Sequence, residues 1–227
     1  MNDLFCKIKN GLIVSCQSEG DDPFNSPEGV TAFAKAAVMG GAIAIRSEGI
    51  DKIKSIKKSV KLPLIGLLKS TFSDGTVKIT GSFNEVEQLL ETGCDIIAVD
   101  GTFREREHLN GPDFVREIKS RYTCVIMADT ATVDEAIACE KAGADCVSST
   151  LNGYTPDTMH NKDNFKFIKQ LVQKLKIPVI AEGKINTPDD AKKMLELGAW
   201  AVVVGTAITR PRTITQWYIN EMKKAKI

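Results

Sequence analysis

The chain has 227 residues, 43% hydrophobic and 26% charged, with a formal net charge of +1. That balance excludes a basic field of the kind that gathers nucleic acid or an acidic membrane surface, and no apolar run is long enough to span a bilayer. The opening stretch, MNDLFCKIKNG, has no apolar signal-peptide core, so the expected compartment is the cytoplasm.

Two kinds of apolar run alternate from one end of the chain to the other. One kind follows a polar residue: NGLIVSCQ from Asn10, KLPLIGLLK from Lys61, YTCVIMAD from Tyr122 and KIPVIAEG from Lys176. The other begins with a small residue and a helix-ending glycine: GGAIAIR from Gly40, TGCDIIAVD from Thr92, AGADCVSST from Ala142 and LGAWAVVVG from Leu197. Each run is too short for a helix and is bounded by turn residues, which suits a buried strand.

Helical spacing fills the gaps. Pro27 to Met39 places Val30, Phe33, Ala34, Ala37 and Val38 on one face, and Ile50, Ile53 and Ile56 mark the next segment. Phe83 to Glu91 carries Val86, Leu89 and Leu90, and Phe114, Val115 and Ile118 mark the fourth. Thr132 with Glu135 three residues on is a capping-box signature opening the fifth. Phe165, Ile168, Leu171, Val172 and Leu175 line the sixth, Thr187-Pro188 opens the seventh, and Ile214 to Met222 forms the last. Strands separated by helices must run parallel. Eight such pairs without a composition break predict one (β/α)8-barrel domain over residues 1–227. The other candidate, an open doubly wound sheet, lacks a GxGxxG after the first strand. The long segment from Ser70 to Ser82 contains Asp74-Gly75, a turn signal for a hairpin or a lid.

Six cysteines show no CxxC pair and no metal-ligand spacing. Cys94, Cys124 and Cys146 fall in strand-like runs and read as small apolar side chains, and Cys16 is read the same way although it nears a strand end. The two histidines, His108 and His160, lie in polar loops. Acid–base chemistry here is therefore not expected to run on histidine.

A barrel presents its chemistry at the carboxyl ends of its strands. Those ends read Gln17, Arg46, Lys69, Asp100, Asp129, Thr150, Glu182 and Gly205. A charge closing an apolar run needs a partner or solvent. For any one of these residues, a structural ion pair is the simpler reading; five charges at equivalent positions suggest a shared site. Lys69, Asp129 and Glu182 end odd-numbered strands and are expected in one layer, where a desolvated lysine among carboxylates comes within range of acid–base work. Arg46 offers a fixed charge for a developing oxyanion, and Gln17 a hydrogen bond to a sugar hydroxyl. Gly183 and Gly205 close consecutive strands, with Thr206 and Arg210 just behind. Either glycine alone is ordinary turn punctuation; together they suit a phosphate cradle after strands seven and eight. The ring fits a small polyhydroxylated phosphate ester and proton abstraction beside a carbonyl.

GLIVSCQ with DDP following, GGAIAIR, LPLIGLLK, MADTAT, GADCVSSTLNGYTP, IPVIAEGKINTP and VVVGTAITRP together resemble the N-acetylmannosamine-6-phosphate 2-epimerase (NanE) family, from Gly11 to about Trp217. The resemblance implies a TIM barrel that interconverts N-acetylmannosamine 6-phosphate and N-acetylglucosamine 6-phosphate in sialic-acid breakdown. It implies an acid–base role for Lys69, assistance from Glu182, sugar contacts from Asp129, Arg46, Gln17, Thr150 and Tyr154, and a phosphate cradle of Gly183, Gly205, Thr206 and Arg210. No metal and no cofactor are implied, and a homodimer is one assembly to test. Three positions depart from the family pattern: Ser70 replaces an arginine, Thr206 replaces a glycine, and VDGT stands for LDAT at the fourth strand. Two other readings stay open at this point, an aldolase forming a Schiff base on Lys69 and a non-catalytic sugar-phosphate sensor.

Overall fold

The structure, a computed structural model, describes residues 3–72, 75–161 and 163–225. Its strands are β1 (Leu12–Ser15), β2 (Ala44–Glu48), β3 (Leu64–Leu67), β4 (Lys69–Thr71), β5 (Val77–Ile79), β6 (Ile96–Asp100), β7 (Ile126–Asp129), β8 (Cys146–Ser148), β9 (Val179–Glu182) and β10 (Ala201–Val204). Eight of them close a parallel barrel in the order β1-β10-β9-β8-β7-β6-β3-β2, which is the expected (β/α)8 architecture. The helices are α1 (Asp3–Lys7), α2 (Pro27–Met39), α3 (Ile50–Ser59), α4 (Phe83–Thr92), α5 (Gly111–Arg121), α6 (Val133–Ala142), α7 (Asn164–Lys174), α8 (Pro188–Glu196), α9 (Thr206–Thr209) and α10 (Pro211–Met222). Among the described residues, no helix is long and apolar enough to cross a membrane.

Local chemistry sets these boundaries. Ser82 with Glu85, Thr132 with Glu135 and Thr187 with Asp190 each form a complete capping box, satisfying backbone donors that the first turn leaves open. Gly93 and Gly143 end α4 and α6 in the left-handed region, at φ 71° and 99°, where a side chain would be strained. Two apolar shells result. The strands' inward residues, among them Ile13, Ile65, Ala98, Met127, Ile180 and Val203, pack inside the barrel, and the outward ones pack against the helices.

α1 was not legible in the sequence. It buries Phe5 and, just beyond it, Ile8 in the inner shell. Trp200 Nε1 donates to the Phe5 carbonyl at 2.8 Å, which ties α1 to the barrel. Val38 is 39% exposed, so the buried stripe of α2 is narrower than expected and includes Thr31 instead. Cys94 and Cys124 sit just before β6 and β7 rather than inside them, while Cys146 lies in β8. Cys16 is wholly buried and burial pushes its thiol up to about 12, in keeping with a packing role.

The largest departure concerns Lys69. β3 ends at Leu67, and Leu68 exchanges hydrogen bonds with Thr80, its N–H donating to the threonine hydroxyl at 3.1 Å and its carbonyl accepting from Thr80 N–H at 2.8 Å. That exchange turns the chain out of the barrel, and Lys69 opens an antiparallel hairpin, paired with Ile79 in register. Of the expected turn, Asp74 lies outside the described residues, while Gly75 stands at φ 78° and donates to the Phe72 carbonyl.

Candidate active site

A cavity of about 510 Å³ opens at the carboxyl ends of the barrel strands. Ser15, Gln17, Arg46 and Glu182 come to it from β1, β2, β9 and the turn after β1, and Lys69, Val77 and Ile79 from the hairpin. Thr150, Tyr154, Gly183, Lys184 and Gly205 come from the loops after β8, β9 and β10, Thr206 from the start of α9, and Arg210 from the junction of α9 and α10.

A buried charge cluster gathers at this mouth. Arg46, 1% exposed, donates from Nη2 to Asp129 Oδ2 at 2.6 Å and from Nη1 to Asp129 Oδ1 at 3.2 Å. Its Nη1 also lies 3.1 Å from Glu182 Oε2. Two carboxyl groups thus share one guanidinium. Burial pushes both carboxyls above the ordinary carboxylate range, and Arg46 pulls both back. Burial also opposes the charge on Arg46, but Asp129 and Glu182 outweigh it and hold the guanidinium above its usual value.

Hydrogen bonding distinguishes the two carboxyls. Thr150 Oγ1 stands 3.0 Å from Asp129 Oδ1 and 3.0 Å from Glu182 Oε2, yet a hydroxyl has one proton to give. It therefore serves one carboxyl at a time, and Ser148 Oγ, 2.7 Å away, competes for the same hydroxyl. Asp129 holds the bidentate pair with Arg46, the geometry that favours a carboxylate most. Burial raises both carboxyls, and Glu182, with one guanidinium contact rather than two, is the less firmly held of them. Its side chain is 12% exposed and lines the cavity, so its carboxyl can meet a bound molecule.

Lys69 is not in this layer. Its side chain is a third exposed, at 33%, and Nζ pairs with Glu19 Oε1. The expected desolvation between Asp129 and Glu182 is therefore absent, because the hairpin carries Lys69 above the mouth. It still stands near enough to Glu182 for its charge to favour the glutamate's ionised form. Arg210 reaches the same Glu19 oxygen from the other side, Nη2 to Oε1, at 3.2 Å.

Of the remaining expected residues, Gln17 is 8% exposed and donates to Ser15 Oγ at 2.8 Å. Tyr154 is 62% exposed at the rim, with Lys184 Nζ 5.5 Å from its ring centroid. Gly183 takes φ 94°, where only glycine is at ease, and a Cβ on Gly205 would come within 3.3 Å of Ser15 Cβ. Asp100 does not join the shared site. Arg104 and Arg106 both pair with it, the latter at 3.0 Å, in the structural arrangement that a lone strand-end charge suggests.

Glu19 and Lys184 are among the cavity residues that the sequence did not single out. Glu19 sits in an irregular loop with no periodicity to single it out. Lys184 stands at φ 58°, in the left-handed region, and Nζ donates to the Asn161 carbonyl at 2.7 Å. A non-glycine residue in that region marks a strained, often functional position, but the signal exists only in the backbone.

Fold and site together define an α/β-barrel protein with its titratable groups collected on the face where such barrels do their chemistry. A family model described as "Putative N-acetylmannosamine-6-phosphate epimerase" (NanE) matches residues 30–224. The chain belongs to that family. A Clostridium perfringens relative called "Putative N-acetylmannosamine-6-phosphate 2-epimerase" is 46% identical over 218 residues, 95% of this chain and 98% of the relative. A relative of the same description from Clostridioides difficile is 46% identical over 221 residues, 96% of this chain and 98% of the relative. The solved structure of the N-acetylmannosamine-6-phosphate 2-epimerase from Clostridium perfringens matches with a TM-score of 0.90 at 44% identity, over 96% of each chain. A thiamine phosphate pyrophosphorylase from Pyrococcus furiosus, 18% identical with a TM-score of 0.62, shares the fold alone.

Proposed function

We propose that the protein interconverts N-acetylmannosamine 6-phosphate and N-acetylglucosamine 6-phosphate by removing and returning the C2 proton, with no metal and no cofactor. The observation that carries this reading is a lysine and a buried glutamate, its carboxyl pushed above the ordinary range, lining one cavity within a family of epimerases. In the open-chain sugar, the C2 proton lies beside the C1 aldehyde, so its removal gives an enolate. A nearby cation stabilises that charge as it develops, and Lys69, on the hairpin above the mouth, is one such cation lining the cavity. Glu182 and Lys69 together supply the two proton-transfer groups, Arg46 and Asp129 fix the position of Glu182, and Gln17, Thr150 and Tyr154 meet the sugar.

Both carboxylates are engaged by Arg46 and Lys69 by Glu19, which supports chemistry run by side chains rather than by a metal. The Schiff-base reading of Lys69 requires that borohydride trap the substrate on that residue, which epimerisation does not. Proton NMR of N-acetylmannosamine 6-phosphate in D2O with EDTA present should show conversion and C2 exchange together. Activity restored only by adding back one divalent ion would sink the metal-independent part, and exchange without conversion would sink the epimerase part.

The phosphate is read as lying against Gly183, Gly205, Thr206 and Arg210. Arg210→Ala removes a charge-assisted bond, and the expected loss of about 1.5–3 kcal/mol raises KM for the phosphorylated sugar roughly tenfold to a hundredfold. Equal losses for phosphorylated and unphosphorylated sugars would remove Arg210 from the phosphate site.

The chain is also read as a homodimer. α10 buries none of its residues, yet Trp217, Tyr218, Ile219 and Met222 lie along it at 40%, 69%, 46% and 72% exposure. A helix with this much bare apolar surface calls for a partner. Light scattering that gave the mass of a single chain at micromolar concentration would exclude the dimer.

A further inference from the structure

Glu19 joins two groups that the proposed reaction assigns to opposite ends of the substrate. Its Oε1 accepts from Lys69 Nζ and, at 3.2 Å, from Arg210 Nη2, so both cations meet at one oxygen. The three residues come from separate parts of the barrel: the loop after β1, the hairpin after β3 and the segment after α9. Burial works against the Glu19 charge, but Lys69 and Arg210 outweigh it and hold the carboxyl below its usual range. The loop that carries Glu19 is braced on both sides. Lys52 Nζ donates to the Ser18 carbonyl at 3.1 Å, and Arg212 Nη1 to Asp21 Oδ1 at 2.6 Å.

A carboxylate on the phosphate arginine is one anion in the place of another. A phosphate monoester brings more charge and more acceptor oxygens than a carboxylate whose side chain is 49% exposed. Once the ester takes Arg210, Glu19 keeps a single, solvent-exposed partner, and exposed pairs hold weakly. The geometry points to Glu19 as a specificity-determining residue that ties Lys69 to Arg210 until a phosphate monoester displaces it, so that the lysine is released to C2 only for phosphorylated sugars. This rests on the roles of Lys69 and Arg210 proposed above.

Two consequences separate this arrangement from a merely structural ion pair. An unphosphorylated sugar leaves Lys69 tied, and an anion supplied separately releases it. The test uses the full chain, wild type and Glu19→Gln, on N-acetylmannosamine 6-phosphate, on N-acetylmannosamine, and on N-acetylmannosamine with inorganic phosphate. Glutamine keeps the shape and removes the charge.

In Glu19→Gln, kcat/KM for the unphosphorylated sugar should rise about tenfold, the value of one charge-assisted contact, and the preference for the phosphorylated sugar should fall by a similar factor. Inorganic phosphate should activate the wild type on N-acetylmannosamine and leave the variant nearly unchanged. A structural role for Glu19 would instead lower turnover of both sugars together. The inference is overturned if the preference is unchanged in the variant, if turnover of the unphosphorylated sugar does not rise, or if phosphate activates both proteins equally. Glu19→Ala, measured alongside, should show the same fall in preference, and its failure to do so counts against the inference too. A wild type that does not epimerise the phosphorylated sugar at all would sink the proposed function itself, a separate outcome read from the first substrate.

Discussion

Lys69→Met should abolish both epimerisation and deuterium uptake at C2, a rate loss of about a thousandfold or more, within the range of a lost acid–base group. Methionine keeps the bulk of lysine and has nothing to titrate. The structure makes the experiment cleaner than the sequence suggested. Lys69 is a third exposed on a two-stranded hairpin, and its ion pair with Glu19 is solvent-facing. Such pairs contribute about 0–1 kcal/mol, so the variant should melt within a few degrees of the wild type while losing its activity. The alternative is that Lys69 only balances charge beside Glu182 and Glu19. Lys69→Arg decides between them, because arginine keeps the charge and cannot act as a base near neutral pH. Near-wild-type C2 exchange in the arginine variant would end the acid–base assignment.

That prediction depends on a residue whose place the sequence only half disclosed. Lys69 follows an apolar run and looks like a strand end, and the reading that brought it to the barrel mouth is right about the face and wrong about the layer. The reason is a tertiary contact: the exchange between Leu68 and Thr80 depends on a residue 12 positions away and has no local signature. The helices were far more legible, since their stops and starts are chemical and local, as in the capping box at Thr132, the cap at Thr187 and the left-handed glycines at 93 and 143. Strand-end charges were legible as a class but not as partners. Asp129 and Asp100 sit side by side in register, at equivalent ends of neighbouring strands. One closes on Arg46 in the cluster beneath the cavity, the other on Arg104 and Arg106 in a structural knot. Periodicity cannot choose between those fates. Glu19 was invisible for a different reason: a loop carboxylate becomes notable only when two distant cations are seen to converge on it.

Arg46→Met should be the most destabilising single change at the site, costing about 3–5 kcal/mol near neutral pH, the range for removing one partner of a buried ion pair. Methionine fills much of the space, so the loss is electrostatic rather than a cavity. What remains is two carboxyl groups, buried together, with no guanidinium between them. The penalty should depend on pH, and its sign follows from the directions already given. Burial holds the Asp129 and Glu182 carboxyls above the ordinary range in the folded protein, and Arg46 is the main influence pulling them down. Without it, both rise further, so the folded variant keeps protons that the unfolded chain releases above about pH 4. Between the unfolded value and the raised folded one, the folded state binds more protons than the unfolded state, and stability falls as pH rises. The gap between variant and wild type should therefore be small in mild acid and widen through that window toward neutrality. Denaturant unfolding of both proteins from pH 5 to pH 8 measures it. A deficit of the same size at every pH would mean that Arg46 matters for packing and not for the charge it places between Asp129 and Glu182. A second substitution makes the test stricter. Asp129→Asn on the Arg46→Met background removes one of the stranded charges, and it should return part of the lost stability at pH 8 while changing little at pH 5.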